Sequence, residues 1–162
     1  MKNINLKSKN SIENKLPSNI EAEQALIGSI LVNNDIIDEI SNLLKAEKFF
    51  DPVHKKIFKV IESLNNKGMI ANPITLKNYF ENLNELDEVG GAEYLVKLTR
   101  FSSSSKQATD YAKIVHENFV KRELLEISNV ISEDSLDIDL DKSSENIIED
   151  AEKSLFDLAE RG

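Results

Sequence analysis

Apolar residues recur at spacings of three and four along almost the whole chain, and this periodicity restricts the fold more than any other feature. Such spacing places side chains on one face of an α-helix, whereas a half-buried strand needs strict alternation. Only three prolines and five glycines interrupt the 162 residues, so few helices are broken from within. The pattern predicts an all-α fold with a disordered tail at 1–15, a compact helical head at 16–102 and a helical hairpin at 103–162.

Helix start and stop signals divide the predicted head into five short helices. Ser18 or Asn19 can cap the first helix, whose inward stripe is Ala22, Ala25, Leu26, Ser29 and Ile30. The second helix carries Ile36, Ile37, Ile40, Leu43 and Leu44. Asp51-Pro52 and Asn72-Pro73 start the next two helices, since proline at the first helical position loses no needed hydrogen bond. Gly68 ends one of them, and Gly90-Gly91 precedes the fifth.

The longest predicted helix, 106–132, changes its apolar face near the middle. Its first half carries Ala108, Ala112, Val115 and Phe119, and its second half carries Val120, Leu124, Ile127 and Ile131. The steps of four, three and four are the same in both sets, but the second set is displaced by one residue, which is about 100° of rotation. We therefore expect the first half to pack on the head and the second half to pack elsewhere.

A last helix is available as the partner of that second half. The turn Ser102–Ser105 precedes the long helix, with its last serine as the cap. An acidic connector, 133–141, follows the long helix, and Ser143 or Ser144 can cap the last helix, whose seam is Ile148, Ala151, Leu155 and Leu158. Two such helices enclose little core, so the apolar surface left over is either an interface or a surface that the head covers. The residues predicted to mediate self-association are Val120, Leu124, Ile127, Ile131, Ile148 and Leu155.

The charge balance excludes several classes of partner. The chain has 29 acidic and 20 basic residues, a net charge of −9, and no cysteine. The acidic excess opposes unaided binding to a phosphate backbone. The absence of cysteine excludes disulfides and thiolate metal sites, and the opening ten residues lack the apolar core of a signal peptide. We expect a cytoplasmic protein that does not contact membranes.

No motif for catalysis is found. The glycines do not form a phosphate-binding loop. His54 and His116 have no partner at metal-ligand spacing, which favours structural roles. Asp137-x-Asp139-x-Asp141 opens like a calcium loop, but Lys142 stands where the turn needs glycine and Ile148 where a bidentate glutamate is needed. The sequence predicts no catalytic, cofactor or metal site in this chain.

Several of these stretches together resemble the amino-terminal domain of bacterial replicative helicases of the DnaB family. The stretches are the opening 16–31 with Glu-Ala-Glu-Gln at 21–24 and Gly28, Phe49-Phe50 with His54, Ile57 and Phe58, Ile74-Thr75-Leu76, Gly90-Gly91-Ala92-Glu93-Tyr94-Leu95, Tyr111–Val115 with Arg122 and Leu125, and residues 148–160. The sequence departs from the family pattern at Phe50, at Asn72 and at 106–108.

The resemblance implies a collar domain that pairs through its hairpins and heads into a triangular collar above a hexameric ring of motor domains. It also implies docking of primase and, in bacteria that use one, of a helicase loader, with contact to DNA only through the full ring. Glu21, Tyr94, Leu125 and Ile131 are the candidate docking residues, since an apolar or aromatic anchor beside a charge is common at binding hot spots. ATP and magnesium belong, by the same resemblance, to a motor domain beyond this chain.

Two other functions stay open from sequence alone. A helicase-binding domain of a primase would have a similar fold and would differ in the sequence that precedes it. A free-standing helical DNA-binding protein would need a basic face and a steep salt dependence of binding.

Overall fold

Helices account for nearly all of the regular structure. The computed structural model describes residues 16–138 and 142–162, and the tail predicted for 1–15 lies outside them. The described residues form seven α-helices and no strand, which confirms the all-α prediction. In chain order the helices are α1 (Ile20–Val32), α2 (Ile36–Ile40), α3 (Pro52–Asn66), α4 (Pro73–Asn82), α5 (Gly91–Thr99), α6 (Ser105–Leu136) and α7 (Ser144–Arg161). Two 3-10 turns, Ala46–Lys48 and Asp87–Val89, precede α3 and α5.

The predicted capping residues start the helices of the head. The Asn19 side chain accepts a hydrogen bond from a first-turn backbone N–H of α1 at 2.9 Å, and Asp51 does the same for α3 at 2.8 Å. Asn72 forms a capping box with Thr75, whose hydroxyl accepts from the Asn72 N–H at 3.0 Å. Each cap satisfies amide hydrogens that have no partner within the helix. Gly68 follows α3 with a φ of +71°, the left-handed conformation that a glycine adopts when it ends a helix.

Helix α1 lies at the centre of the head. It packs against α2, α3 and α5. Four members of its predicted stripe are buried, and Ala25 is half-buried. Ile27, Gly28 and Leu31 are buried as well. A helix covered by neighbours on several sides buries more than one stripe, which is why the predicted set is incomplete.

Packing divides the chain within α6, between Phe119 and Val120. Residues Asn19–Phe119 form one unit, here called the head unit. Of the other described residues, 16–18, 120–138 and 142–161 form the second unit, the hairpin unit. Ala108, Ala112, Val115 and Phe119 are all buried, as predicted. The division falls where the apolar pattern of the helix shifts by one residue. The boundary predicted at residue 102 lies one turn before α6, and as a domain boundary it stays a prediction.

Two predicted helix boundaries are wrong. The connector does not begin at Glu133, because α6 continues to Leu136. The cap of α6 is not Ser105, which is already helical. Ser104 is the cap, since its hydroxyl accepts from the Gln107 N–H at 3.3 Å. At α7 the prediction is confirmed, because the Ser143 hydroxyl accepts from the Asn146 N–H at 3.2 Å.

The seam of the hairpin unit differs from the predicted one by one residue. Ile127 and Ile131 of α6 line a groove with Ile147 and Ala151 of α7. Leu158, which was predicted for the seam, is buried. Ile148 and Leu155 were predicted for the seam too, but they are 58% and 45% exposed. The inner face of α7 therefore follows 147, 151, 154 and 158, and the stripe containing Ile148 and Leu155 points away from the groove.

Candidate functional site

A buried carboxylate holds the head unit together near the start of α1. Glu23 is 1% exposed. Its carboxylate accepts from the backbone N–H of Phe50 at 2.7 Å and of Asp51 at 3.2 Å, and lies 2.8 Å from His54 Nδ1. A buried carboxylate is costly unless its lone pairs are satisfied, and these three donors satisfy them. Glu23 thereby fixes the segment before α3 and the first turn of α3 against α1.

The bond network continues from His54 to Tyr94 of α5. His54 is fully buried, and its Nε2 lies 2.6 Å from the Tyr94 hydroxyl. When His54 carries its proton on Nδ1 and donates it to Glu23, Nε2 accepts the Tyr94 O–H. The Tyr94 oxygen in turn accepts from Gln24 Nε2 at 3.2 Å. All four side chains have partners, and the imidazole is closed to solvent, so the network is suited to rigidity and not to proton transfer with a substrate.

Tyr94 was predicted as a docking residue, and the structure gives its hydroxyl a partner within the head unit. The side chain is half-buried. Burial raises the pKa of the Tyr94 phenol above its usual value, and the hydrogen bond from Gln24 opposes this shift. Part of the Tyr94 side chain stays accessible to a partner, so its docking role stays a prediction.

Glu21, the other candidate in the head unit, borders an open groove. Glu21 is exposed on the first turn of α1. The same groove is lined by Phe101 and Ile114, which are 39% and 38% exposed, and by Gln24. Gln24 also bonds to the Tyr94 hydroxyl. Tyr94 does not line this groove and is connected to it only through Gln24. The groove itself combines exposed apolar side chains with the negative charge of Glu21.

A second polar cluster in the head unit joins the turn Ala46–Lys48 to α6. Lys48 is 5% exposed, and its ammonium donates to the Leu43 carbonyl at 2.8 Å and lies 3.2 Å from His116 Nδ1. The ammonium also lies 5.8 Å from the centre of the Phe119 ring. Burial and the nearby Lys48 charge lower the pKa of His116, against an opposing effect of Glu117. His116 is thus a structural acceptor for a buried lysine.

The docking candidates in the hairpin unit lie in different surroundings. Ile131 is half-buried in the groove between α6 and α7. Leu125 is 37% exposed and does not line that groove. The two side chains are therefore not part of one surface, and Leu125 is the more accessible to a partner.

The residues predicted for self-association are also partly in the groove and partly exposed. Ile127 and Ile131 line the groove, and Val120 is half-buried. Leu124, Ile148 and Leu155 are 44%, 58% and 45% exposed, and the neighbouring Phe156 is 65% exposed. The exposed subset is the part of the predicted surface that is available to a second molecule, and its role in association stays a prediction.

The sequence contained a signal for the buried role of Glu23. Leu26, Ile27 and Ile30 follow it at three, four and seven residues, which places Glu23 on the buried face of α1. This signal was not used, and no buried role was predicted for Glu23. No comparable signal existed for Lys48, whose partner His116 is 68 residues away. Among the residues that the structure describes, no three histidine, aspartate or glutamate side chains gather as metal ligands.

No helix within 16–138 or 142–162 combines the length and apolar character that a bilayer crossing requires.

Comparisons with known proteins identify a family. Residues 15–117 match the family model described as "DnaB-like helicase N terminal domain". The chain is 42% identical over 147 residues to the replicative DNA helicase DnaB of Rickettsia bellii, an alignment that covers 91% of this chain and 30% of that protein. With the same helicase of Rickettsia typhi it shares 39% identity over 164 aligned positions, covering 99% of this chain and 33% of the relative. The chain thus spans about a third of the length of the curated relatives it matches.

Solved structures agree with the sequence comparisons. The N-terminal domain of DnaB helicase from Mycobacterium tuberculosis superposes with a TM-score of 0.78 at 25% identity, covering 88% of this chain and 99% of that one. A DnaB-like replicative helicase, solved in a study of its interactions with primase, superposes with a TM-score of 0.70 at 26% identity, covering 86% of this chain and 31% of that one. Since the family model also matches more than half of the sequence, the chain belongs to the DnaB-like helicase N-terminal domain family.

Proposed function

We propose that this chain is the amino-terminal collar of a replicative DNA helicase, which associates with copies of itself and docks primase and, in bacteria that use one, a helicase loader. ATP, magnesium and the unwinding of DNA are proposed for a motor domain outside residues 1–162, with action in the cytoplasm. The curated relatives are named replicative DNA helicases, and one structural neighbour was studied for its interactions with primase. Both observations support a collar with protein partners.

The single observation that carries this proposal is the apolar face of α7 that neither helix of the hairpin covers. Ile148 and Leu155 are seven residues apart and therefore share one face of the helix. Phe156 follows directly and is 65% exposed. A soluble protein rarely leaves several large apolar side chains in one stretch unless a partner covers them.

Light scattering coupled to size-exclusion chromatography, across a range of protein concentrations, tests the association. We expect the mass to rise above 18.3 kDa with concentration, and the combined substitution Ile148→Ser and Leu155→Ser to reduce that rise. Ile74→Ser is the matched control, since Ile74 is 78% exposed on α4 of the head unit. A chain that stays monomeric at every concentration, or a control that acts like the paired variant, would contradict the proposed interface.

Calorimetry with the helicase-binding domain of primase tests the docking. Leu125→Ala and Glu21→Ala are expected to weaken binding, while Ile74→Ala is expected to leave it unchanged. Circular dichroism confirms that each variant keeps its helix content. Unchanged affinity in both folded variants would remove these residues from the docking surface.

A further inference from the structure

The head unit carries a basic groove, although the chain as a whole is acidic. The groove is lined by residues of α3 and of the 3-10 turn that precedes it, and we call it the lysine groove. Its charged residues are four lysines and two glutamates, a net charge of +2, whereas the whole chain carries −9. The charged residues are Lys45, Lys55, Lys56, Lys59, Glu47 and Glu62.

A hydrogen bond across the groove holds its two sides together. The half-buried Glu62 of α3 accepts from the backbone N–H of Ala46 at 3.1 Å. This bond fixes the turn that follows Lys45 against the helix that carries Lys55 and Lys59. Those two lysines are four residues apart and therefore lie on one face of α3. The groove is thus formed in advance of any ligand.

Three of the four lysines have no internal ion pair. Lys56 pairs with Glu88. Among the residues that the structure describes, no acidic side chain lies within ion-pair distance of Lys45, Lys55 or Lys59. All three side chains are exposed. They can bind an external anion without breaking a bond inside the head unit.

The lining of the groove favours an anionic ligand over a folded protein partner. Ala46 is the one apolar residue among the described residues that line it. Protein partners gain most of their binding energy by burying large apolar or aromatic side chains, and the groove offers none. Asn66, which is exposed and lines the groove, adds an amide donor to the lysine ammonium groups. Lysine and asparagine side chains are typical donors to phosphate oxygens.

We propose that the lysine groove binds the phosphate backbone of a single nucleic-acid strand and does not read its bases. The groove has no aromatic side chain on which bases could stack. A duplex has two rows of phosphates and a wider footprint, which the exposed carboxylates of Glu47 and Glu88 beside the lysines oppose. This binding goes beyond the protein docking proposed above and involves none of the docking residues.

The number of unpaired lysines determines how the binding depends on salt. For a single strand, the logarithm of the association constant falls with the logarithm of the salt concentration by about 0.7 per neutralised phosphate, so three lysines predict a slope of about −2. A threefold rise in salt should then weaken binding about tenfold. The net charge of −9 keeps the affinity at the weak end of non-specific binding, with a Kd of about 10⁻⁴ M or weaker.

Amide NMR titration of the full chain with a twelve-nucleotide thymidine DNA strand tests the proposal. The groove variant carries Lys55→Gln and Lys59→Gln and keeps Lys45. The matched control carries Lys97→Gln and Lys106→Gln, which change the net charge equally at exposed positions of the head unit outside the groove. Titrations are run at about 20 and about 60 mM NaCl, where weak phosphate contacts are least suppressed by salt.

The wild type and the control are expected to show shifts in the signals of 45–66 and a Kd that rises about tenfold between the two salt concentrations. The groove variant should bind at least about tenfold more weakly at the lower salt, with a Kd that rises only about twofold because one lysine remains. A uridine RNA strand of the same length should bind as tightly as the DNA strand, since only phosphates are contacted.

Several outcomes would overturn the proposal. The first is an absence of shifts in 45–66 in the wild type, and the second is a groove variant that binds as tightly as the control. Tighter binding of a twelve-residue polyglutamate peptide than of the DNA strand would assign the groove to an acidic protein segment. Tighter binding of a twelve-base-pair duplex, or a strong preference for RNA or for DNA, would contradict recognition of a single backbone.

Discussion

Gly28 is the position at which a single methyl group should do the most damage to the head unit. A Cβ built on Gly28 would lie 1.9 Å from the Leu98 carbonyl oxygen and 2.9 Å from its carbon. Ordinary contact begins at 3.4 Å, so α1 and α5 would have to separate by about 1.5 Å at this crossing. The Leu98 carbonyl accepts from the Phe101 N–H at 3.1 Å, which holds the oxygen in place. Beside it, the Ser29 hydroxyl accepts from the Ser103 N–H at 2.9 Å.

The expected cost of Gly28→Ala follows from two opposing effects. Overpacking a core costs about 1–3 kcal/mol, and the upper part of this range applies because a backbone carbonyl cannot change rotamer. Replacing glycine by alanine inside a helix gains about 1 kcal/mol of propensity. The net loss is about 2 kcal/mol, and a domain of the size of the head unit loses roughly 4–8 °C of Tm per kcal/mol. We therefore expect the Tm to fall by roughly 8–16 °C.

Thermal denaturation followed by circular dichroism at 222 nm measures this effect. Gly68→Ala is the control, because its added Cβ meets nothing within 4 Å and its only cost is the φ of +71°, about 1–2 kcal/mol. Asparagine tolerates the left-handed region, so Gly68→Asn should recover part of the control's loss, whereas Gly28→Asn should be worse than Gly28→Ala. A Tm for Gly28→Ala equal to or above the wild-type value would refute the close-approach argument.

Two further predictions concern the polar clusters of the head unit. Tyr94→Phe removes the hydroxyl that bonds to His54 and Gln24 and should cost about 1–2 kcal/mol in urea denaturation. Because the folded-state pKa of Tyr94 is raised, the wild type should lose stability as pH rises above 10, and the variant should lose less there. Equal losses of stability above pH 10 in both proteins would show that the phenol has the same pKa in the folded and unfolded states. His116→Gln should flatten the dependence of the unfolding free energy on pH below pH 6.5. The folded-state pKa of His116 is lowered, so the wild type loses stability as pH falls through that region. A variant as acid-sensitive as the wild type would contradict this lowered pKa.

Local signals predicted the helices of this fold well. Asn19, Asp51 and Asn72 are each followed by a first helical turn that they cap. These starts depend on side chain to backbone contacts within three residues, so the sequence nearby contains the whole cause. The buried stripe of the first half of α6 was predictable for a similar reason. The head unit covers one face of this half of the helix, so the buried side chains follow the helical spacing.

Long-range contacts explain what the sequence did not predict. The buried role of Glu23 was not predicted, because its three donors come from residues 50, 51 and 54, which local spacing cannot bring to it. The same holds for Lys48 and His116. The α7 seam was placed one residue off because α7 has apolar side chains on two neighbouring faces, and only the position of α6 decides which face becomes the inner one.

The head and hairpin units use their polar and apolar groups in opposite ways. This difference indicates which unit supplies the binding energy for partners. In the head unit, the polar groups Glu23, His54 and Lys48 are buried and bonded internally, which costs desolvation and yields a fixed arrangement of α1, α3 and α5. In the hairpin unit, the apolar side chains Ile148, Leu155 and Phe156 face outward, and most of the chain's net negative charge is present there. Satisfied buried polar groups provide little binding energy to a partner, whereas exposed apolar groups provide it on burial. The hairpin unit should therefore supply most of the binding energy for partners, while the head unit supplies a rigid and selective rim around Glu21.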